Sequence, residues 1–250
     1  LIKEGAATDF TYKEDLAKLL KFESTALDAG KLTGLDEYID RMAGDQEEIL
    51  FLFGKSRESI ESGPYLEALK ARGWEVLLLT EPVDEYVMQT VREYKEKKII
   101  SADSEELKLE KLDQENEGET LGKKEVKSLC KWLKETLKDK VSEVETGERL
   151  IDSPVCIVGS DGMGGASARR VMKMMQGPEG ALPAPSVKLQ INPGNAIIRG
   201  LSALKEKEEQ TAQLVAHQLL DNAMASANLL DDPREMIARS YQTLEKITSG

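Results

Sequence analysis

Short apolar segments separated by helical stretches constrain the fold of this chain most. Residues 48–53 and 74–79 are almost continuously apolar, and Ile99 and Ile100 indicate a further short strand. Between these segments, Pro64 and Pro82 each begin a stretch with apolar residues at helical spacing. Strands that are apolar throughout are typical of parallel sheets with both faces covered. We therefore predict an α/β subdomain with helix, sheet and helix layers (αβα) for the first part of the chain.

The pattern changes to α+β in the last part of the chain. An amphipathic helix is predicted over residues 126–137, followed by two apolar segments within residues 141–158. Val187, Leu189 and Ile191 alternate with polar residues, as a half-buried strand requires. Two final helices are expected after that strand.

An acidic segment separates the two parts. Residues 101–122 are rich in Asp and Glu, and Gly118 and Gly122 lie at their end. We predict one domain over residues 1–112, a linker over 113–122 and a second domain over 123–250.

The charge and composition exclude several classes of protein. With 46 acidic and 34 basic residues the net charge is −12, which argues against non-specific binding to nucleic acid. No apolar run approaches the roughly 20 residues of a membrane span, so no membrane partner is expected. The chain begins without an initiator Met or a signal-like segment, and we expect it to be an internal or C-terminal piece of a longer protein.

Histidine and cysteine are scarce. The single histidine, His217, excludes a histidine-cluster metal site, and no metal site is predicted. Cys130 and Cys156 are too few for a disulfide framework and indicate a reducing compartment. Cys156 ends an apolar strand, which favours an inert buried thiol.

Two glycine-containing segments invite a nucleotide-binding interpretation. Gly54-Lys55-Ser56 follows a strand but lacks the glycine five residues earlier that a phosphate loop needs. Residues 159–165, rich in glycine, lie between a strand and a helix and could present backbone N–H groups to a phosphate. Their spacing does not fit the dinucleotide pattern, and a flexible hinge before the helix is favoured.

The helix after this segment is rich in methionine. Met163, Met172, Met174 and Met175 lie on its apolar side, opposite Arg169, Arg170 and Lys173. Methionine is flexible and suits surfaces that accept varied apolar partners. An ordinary core helix with methionine as filler remains the alternative.

The two terminal helices carry more apolar residues than a single stripe needs. The residues predicted to form an interface between two copies are Leu214, Leu219, Leu220, Met224, Ile237, Tyr241 and Leu244. Two such helices can form half of a four-helix dimer interface. Burial inside a monomer is the alternative. His217 lies in the first of these helices, with no catalytic partner nearby in sequence, and is expected to be structural.

Several strings resemble the heat-shock protein 90 chaperone family, whose bacterial members are called HtpG. They include Phe22-Glu23-Ser24, Asp84-Glu85-Tyr86-Val87-Met88, Ser153-Pro154, Ile191-Asn192-Pro193 and Asp231-Asp232-Pro233. Their order resembles the late middle domain followed by the C-terminal dimerisation domain, and they are most similar to the bacterial and mitochondrial branches.

The resemblance implies a homodimeric, ATP-driven stress-response chaperone that binds partly folded client proteins. It also implies that the ATP pocket lies outside this chain, so that ATP and magnesium belong to the intact protein and this fragment is not an enzyme. By the same resemblance, Met163, Met172, Met174, Met175, Tyr86 and Glu85 are expected to contact clients. The expected location is the bacterial cytoplasm, with the mitochondrial matrix as alternative. A nucleotide-using enzyme built on residues 159–165 and a purely structural dimerisation module are the rival interpretations.

Overall fold

The computed structural model describes residues 13–112, 119–159, 187–230 and 232–248, which form two compact units that divide between Lys108 and Leu109. The described elements of the first unit are α1 (Lys13–Ala17), β1 (Glu23–Ser24), α2 (Leu35–Arg41), β2 (Ile49–Phe53), α3 (Arg57–Glu61), a 3₁₀ turn (Pro64–Leu66), α4 (Glu67–Arg72), β3 (Leu77–Leu79), α5 (Pro82–Val91), β4 (Glu93–Tyr94) and β5 (Lys97–Ser101). Those of the second unit are α6 (Lys123–Leu137), a 3₁₀ turn (Lys138–Lys140), β6 (Val141–Thr146), β7 (Val155–Val158), β8 (Val187–Ile191), α7 (Ala196–Lys207), α8 (Glu209–Ser226) and α9 (Arg234–Thr248).

The first unit is built around a mixed sheet in the order β1-β3-β2-β5-β4. The central strand β2 runs parallel to both neighbours, with Phe51 opposite Leu77 and Ile49 opposite Ile99. The strands predicted near residues 48–53 and at Ile99 and Ile100 are confirmed. The strand predicted over residues 74–79 is shorter, Leu77–Leu79.

The edges of this sheet differ from the parallel arrangement predicted. β1 pairs antiparallel with β3, and β4 pairs antiparallel with β5. β4 and β5 are joined by only Lys95 and Glu96, and a connection of two residues can form only an antiparallel hairpin. Both of these residues have positive φ, 47° and 63°, as a type I′ turn requires.

The core of the first unit lies against both faces of the sheet. One face buries Ile49, Phe51, Leu77 and Leu79 together with Met88 of α5. The residues between them on the strands point to the opposite face, and Leu50, Leu52 and Leu78 are buried as well. The sheet is therefore covered on both sides, which explains why its central strands are apolar throughout.

The second unit contains a three-stranded sheet in the order β6-β8-β7. β8 is parallel to β6 and antiparallel to β7. The predicted helix over residues 126–137 is confirmed as α6, which buries Leu129, Leu133 and Leu137.

Three helices follow β8 where the sequence analysis expected two. The additional helix, α7, begins at Asn195, whose side-chain oxygen accepts a hydrogen bond of 2.9 Å from the Ile197 N–H. This is the usual N-cap interaction of asparagine. The prediction missed that Ile198 and Leu201, both buried, follow this cap at helical spacing.

The acidic linker is described only in part. Residues 113–118 lie outside the described residues. Leu121 donates its N–H to the carbonyl of Pro193 over 3.2 Å, and Gly122 donates its own to the Glu125 carboxylate over 2.8 Å. The end of the predicted linker is therefore tied to the second unit, and the predicted domain boundaries stay predictions.

Candidate functional site

The outer side of α9 carries an apolar stripe. Ile237, Tyr241 and Leu244 are 44%, 68% and 53% exposed. Their spacing of four and three residues places them on one face of the helix, and together they are called the α9 stripe below. A contiguous set of large exposed apolar side chains marks a surface that a partner can cover.

The other side of α9 is held against α8 by a buried ion pair. The Arg239 guanidinium donates to the Asp221 carboxylate, and the two side chains are only 18% and 11% exposed. Breaking such a pair leaves an uncompensated buried charge and is strongly unfavourable. Since Arg239 lies on a different face of α9 from the α9 stripe, this contact orients the stripe away from α8.

The predicted interface residues of α8 differ in how deeply they are buried. Leu219 and Leu220 are buried within the unit, and their predicted role in an interface between copies stays a prediction. They share a helix face with Ala216 and Ala223, and this face is buried where α8 packs on β7, α6 and α7. Internal burial, the alternative interpretation, explains them. Leu214 and Met224 are half-buried.

His217 lies on α8 at the edge of the packed region. Its side chain is half-buried, and its Nδ1 atom is buried without a hydrogen-bond partner. Burial lowers the pKa of its imidazole below the ordinary 6.5, and the positive charges of Arg239, Lys140 and Lys138 lower it further. The ring is therefore held neutral near pH 7.

In the first unit, the predicted client-contact residues on α5 have different environments. Glu85 is only 1% exposed, so its carboxylate lies within the unit rather than in solvent, and its predicted contact with clients stays a prediction. Tyr86 is half-buried and packs against the apolar core cluster that contains Val87 and Met88. It keeps part of its ring available at the surface.

The remaining predicted contacts lie outside the described residues. These are Met163, Met172, Met174 and Met175, together with residues 160–165 of the glycine-rich segment. Their predicted roles in client or nucleotide binding stay predictions.

The sequence analysis missed other exposed apolar side chains and the ion pair. Leu19, Leu32 and Ile197 are each at least half exposed, and only their positions at the ends of elements could have indicated this. Asp221 is the only acidic residue between Glu209 and the end of α8. That signal indicates a buried partner, although the sequence does not identify Arg239 as the partner.

Two structural features are absent from the described part of the chain. Across residues 13–112, 119–159, 187–230 and 232–248, no cluster of three or more His, Cys, Asp or Glu is arranged to bind a metal ion. In the same ranges no helix combines the length and hydropathy needed to cross a bilayer.

Comparison with known proteins identifies the family. The model of the family described as Hsp90 protein matches residues 1–249. The chaperone protein HtpG of Desulfotalea psychrophila is 38% identical over 253 residues, covering 99% of this chain and 41% of that protein. HtpG of Desulfitobacterium hafniense is 40% identical, covering 98% of this chain and 39% of that protein. The mitochondrial 75 kDa heat shock protein of Bos taurus is 36% identical, covering 98% and 36%.

These matches show that the chain belongs to the heat-shock protein 90 family of chaperones. Similarity extends to both bacterial and mitochondrial members. The chain spans about two fifths of the length of the bacterial relatives, 41% and 39%.

Proposed function

We propose that this chain is the C-terminal half of a heat-shock protein 90 chaperone and that it joins two copies of the protein. In this assignment residues 1–112 are the second, αβα part of the middle domain. Residues 113–122 are the acidic linker, and residues 123–250 are an α+β dimerisation domain. The order of the family-like strings along the sequence supports the assignment.

The α9 stripe is the observation that carries the dimer proposal. Its three side chains face away from the unit while the ion pair between Arg239 and Asp221 fixes the opposite side of the helix. In a two-fold symmetric pair each residue of the stripe is buried twice, once in each copy. Burying apolar surface contributes about 25 cal/mol per Å² before the entropic cost of association. Ile237, Tyr241 and Leu244 would therefore form the centre of the interface. The half-buried Leu214 and Met224 are candidates for its edge.

The chaperone activity in this proposal is non-covalent. Apolar side chains hold a partly folded client by burying its exposed apolar surface, and flexible methionines adapt to different clients. Tyr86, Met163, Met172, Met174 and Met175 are the proposed contacts. We assign no ATP-binding residue to this part of the protein; in the intact chaperone, ATP and magnesium would be held elsewhere. The cytoplasm of a bacterium is the proposed location, with the mitochondrial matrix as the alternative.

Substitution of the α9 stripe tests the dimer. Tyr241→Asp combined with Leu244→Asp places two charges where apolar contact is proposed, and should weaken the dimer by at least about 100-fold. The matched control is Gln242→Asp, which adds a charge at an exposed polar position of the same helix. Sedimentation velocity measures the association of the unsubstituted chain, the double variant and the control. Equal association of the double variant and the control would contradict the proposal.

Substitution of the methionines tests client contact. Met172, Met174 and Met175 changed together to Ser should weaken binding of a reduced and alkylated test protein that cannot refold, while the mass of the complex between copies stays unchanged. Unchanged affinity would remove these residues from the client surface. A chain that dimerises but binds no unfolded protein would be a structural dimerisation module.

A further inference from the structure

His217 lies on α8 and interacts electrostatically with Arg239 of α9. It is the only histidine among the 250 residues. Its Nδ1 atom is buried and lacks a hydrogen-bond partner, and the neighbouring Gln218 has a buried Oε1 atom in the same condition. A protonated imidazole needs an acceptor for each N–H, and Nδ1 has none in this packing.

The charged groups around His217 come from three elements. On α8, Asp221 lies one turn further along the same face. From α9, Arg239 holds Asp221 in the buried ion pair, and Lys138 and Lys140 lie in the 3₁₀ turn after α6.

Three other elements pack on α8, and on the first of these, α6, the exposed Lys131 and Glu135 pair with each other. β7 has the sequence Val-Cys-Ile-Val and contains no ordinarily charged side chain. On α7, Arg199 donates to the Glu119 carbonyl, and Lys205 donates to Ser128 and Glu206. The charges that lower the pKa of His217 are therefore the positive ones of Arg239, Lys140 and Lys138, and the carboxylate of Asp221 is already used by Arg239.

We propose that His217 makes the docking of α9 on α8 sensitive to acid. Protonation places a further positive charge beside Arg239, Lys138 and Lys140 and creates a buried N–H without an acceptor. Movement of α9 relieves both costs, because it removes Arg239 and frees Asp221 to accept from the imidazolium. Since α9 also carries the α9 stripe, acid weakens the association of two copies; this last step rests on the proposed function.

The pH range follows from the direction of the pKa shift. The pKa of His217 is lowered below 6.5 in the folded chain, so the undocked state binds the proton more tightly. Docking is therefore at full strength above the ordinary pKa and weakens as the pH falls through 6.5 towards the folded value. Asp232, which precedes α9, does not titrate in this range, because the hydrogen bond from Arg234 holds its pKa below the ordinary 3.8.

The experiment measures α9 directly. Amide hydrogen exchange of the peptide covering Arg234–Thr248 is followed by mass spectrometry at about pH 7.5 and about pH 5.5, corrected for the intrinsic pH dependence of exchange. We expect the protection of α9 to fall severalfold at the lower pH and by no more than about tenfold, because pH 5.5 lies one unit below the ordinary pKa of histidine. His217→Gln replaces the imidazole by an uncharged side chain and should abolish this difference. If that variant does not fold, His217→Asn makes the same replacement with a shorter side chain.

A relocated histidine is the matched control. His217→Gln combined with Ala225→His keeps one histidine on α8 but moves it to an exposed position, and its α9 should be insensitive to acid. Asp221→Asn removes the negative charge that pairs with Arg239, so its α9 should be poorly protected at both pH values.

Two outcomes separate this proposal from the proposed dimer. The same exchange measurement is made in the Tyr241→Asp, Leu244→Asp background, in which association is removed. If α9 of the unsubstituted chain is equally protected at both pH values, or if His217→Gln leaves the acid effect intact, the switch is overturned. If the chain is a monomer at both pH values but α9 still loosens in acid, the dimer proposal fails and the switch on α9 docking stands.

Discussion

The hydroxyl of Tyr38 on α2 donates a 2.6 Å hydrogen bond to the main-chain carbonyl of Glu75, 37 residues further along the chain. The same oxygen accepts from the Leu50 N–H over 2.9 Å and from the Gln46 side chain over 2.7 Å. Arg41, one turn beyond Tyr38, holds the Glu75 carboxylate through two hydrogen bonds of 3.1 and 2.7 Å. One phenol therefore satisfies buried polar groups from the approach to β3, from β2 and from the loop between α2 and β2.

Removing this hydroxyl should destabilise the first unit. Tyr38→Phe leaves the buried Leu50 N–H without its acceptor and the Glu75 carbonyl with only a 3.4 Å hydrogen bond from Gln46, and each buried group that loses its partner costs about 1–3 kcal/mol. We expect a loss of about 3 kcal/mol in the free energy of unfolding. Urea unfolding reports it through Trp74 fluorescence in a Trp132→Phe background, because Trp74 is then the only tryptophan of the chain.

Tyr94→Phe is the matched control for this prediction. The Tyr94 hydroxyl donates to the Asp36 carboxylate over 2.7 Å, but that carboxylate is half exposed and also accepts from Lys95. Solvent can replace the lost bond, so the expected loss is below about 1 kcal/mol. Equal losses in the two variants would mean that Tyr38 does not act as a buried hub.

The hairpin between β4 and β5 should be stabilised by a glycine. Glu96 has a φ of 63°, and a left-handed conformation costs a residue with a side chain about 1–2 kcal/mol. Part of this is offset by the greater backbone freedom of glycine in the unfolded chain, so Glu96→Gly should stabilise the first unit by about 0.5–1 kcal/mol.

The same change in the adjoining strand should have the opposite sign. Lys98→Gly replaces an exposed strand residue of β5 that faces Glu93, and glycine inside a strand is destabilising. Thermal unfolding of both variants decides the sign. A destabilising Glu96→Gly would show that the turn does not strain the backbone.

Arg57 should make the first unit sensitive to acid. Its guanidinium contacts the Glu23 carboxylate over 2.9 Å, the Leu27 carbonyl over 2.7 Å and the Glu61 carboxylate over 2.9 Å. The hydrogen bond from Arg57 holds the pKa of Glu23 below the ordinary 4.5. A lowered carboxylate pKa adds stability above the unfolded pKa, and that stability is lost as the pH falls through the folded value.

Arg57→Met should therefore cost more stability at about pH 6 than at about pH 3.5. Urea midpoints at the two pH values, again reported by Trp74, give the difference. Lys18→Met is the control, because Lys18 pairs with Asp15 at an exposed position and such pairs contribute little. An Arg57→Met loss that is independent of pH would assign the effect to packing of the arginine stem.

The nucleotide-binding alternative has a direct test. We expect titration of the chain with Mg-ATP in a calorimeter to give no heat of binding. Gly162→Ala combined with Gly164→Ala is the paired variant. Binding heat that disappears in this variant would favour a nucleotide-using enzyme and contradict the proposed function.

Prediction from sequence succeeded where hydrophobic pattern alone decides the structure. Ile49–Phe53 is apolar at every position because both faces of the sheet are covered, and that pattern is visible in the sequence. The strands β1 and β4 have two residues each, which is too short for any periodicity. Their antiparallel pairing depends on a turn and on contacts between distant segments.

The same distinction applies to the candidate site. Ile237, Tyr241 and Leu244 were predicted together from helical spacing, and the structure leaves all three exposed on one face. Leu219 and Leu220 have the same apolar character, but burial against the sheet and the neighbouring helices of their own unit was not visible in the sequence. Glu85 was predicted to contact clients from family resemblance, whereas its burial is a property of the fold that the sequence did not show.

Light scattering coupled to size exclusion, over a dilution series of the unsubstituted chain, tests the central claim most directly. The α9 stripe predicts a mass of twice the 27.7 kDa of one chain that persists at low concentration. A mass of one chain at every concentration would contradict the proposed dimer.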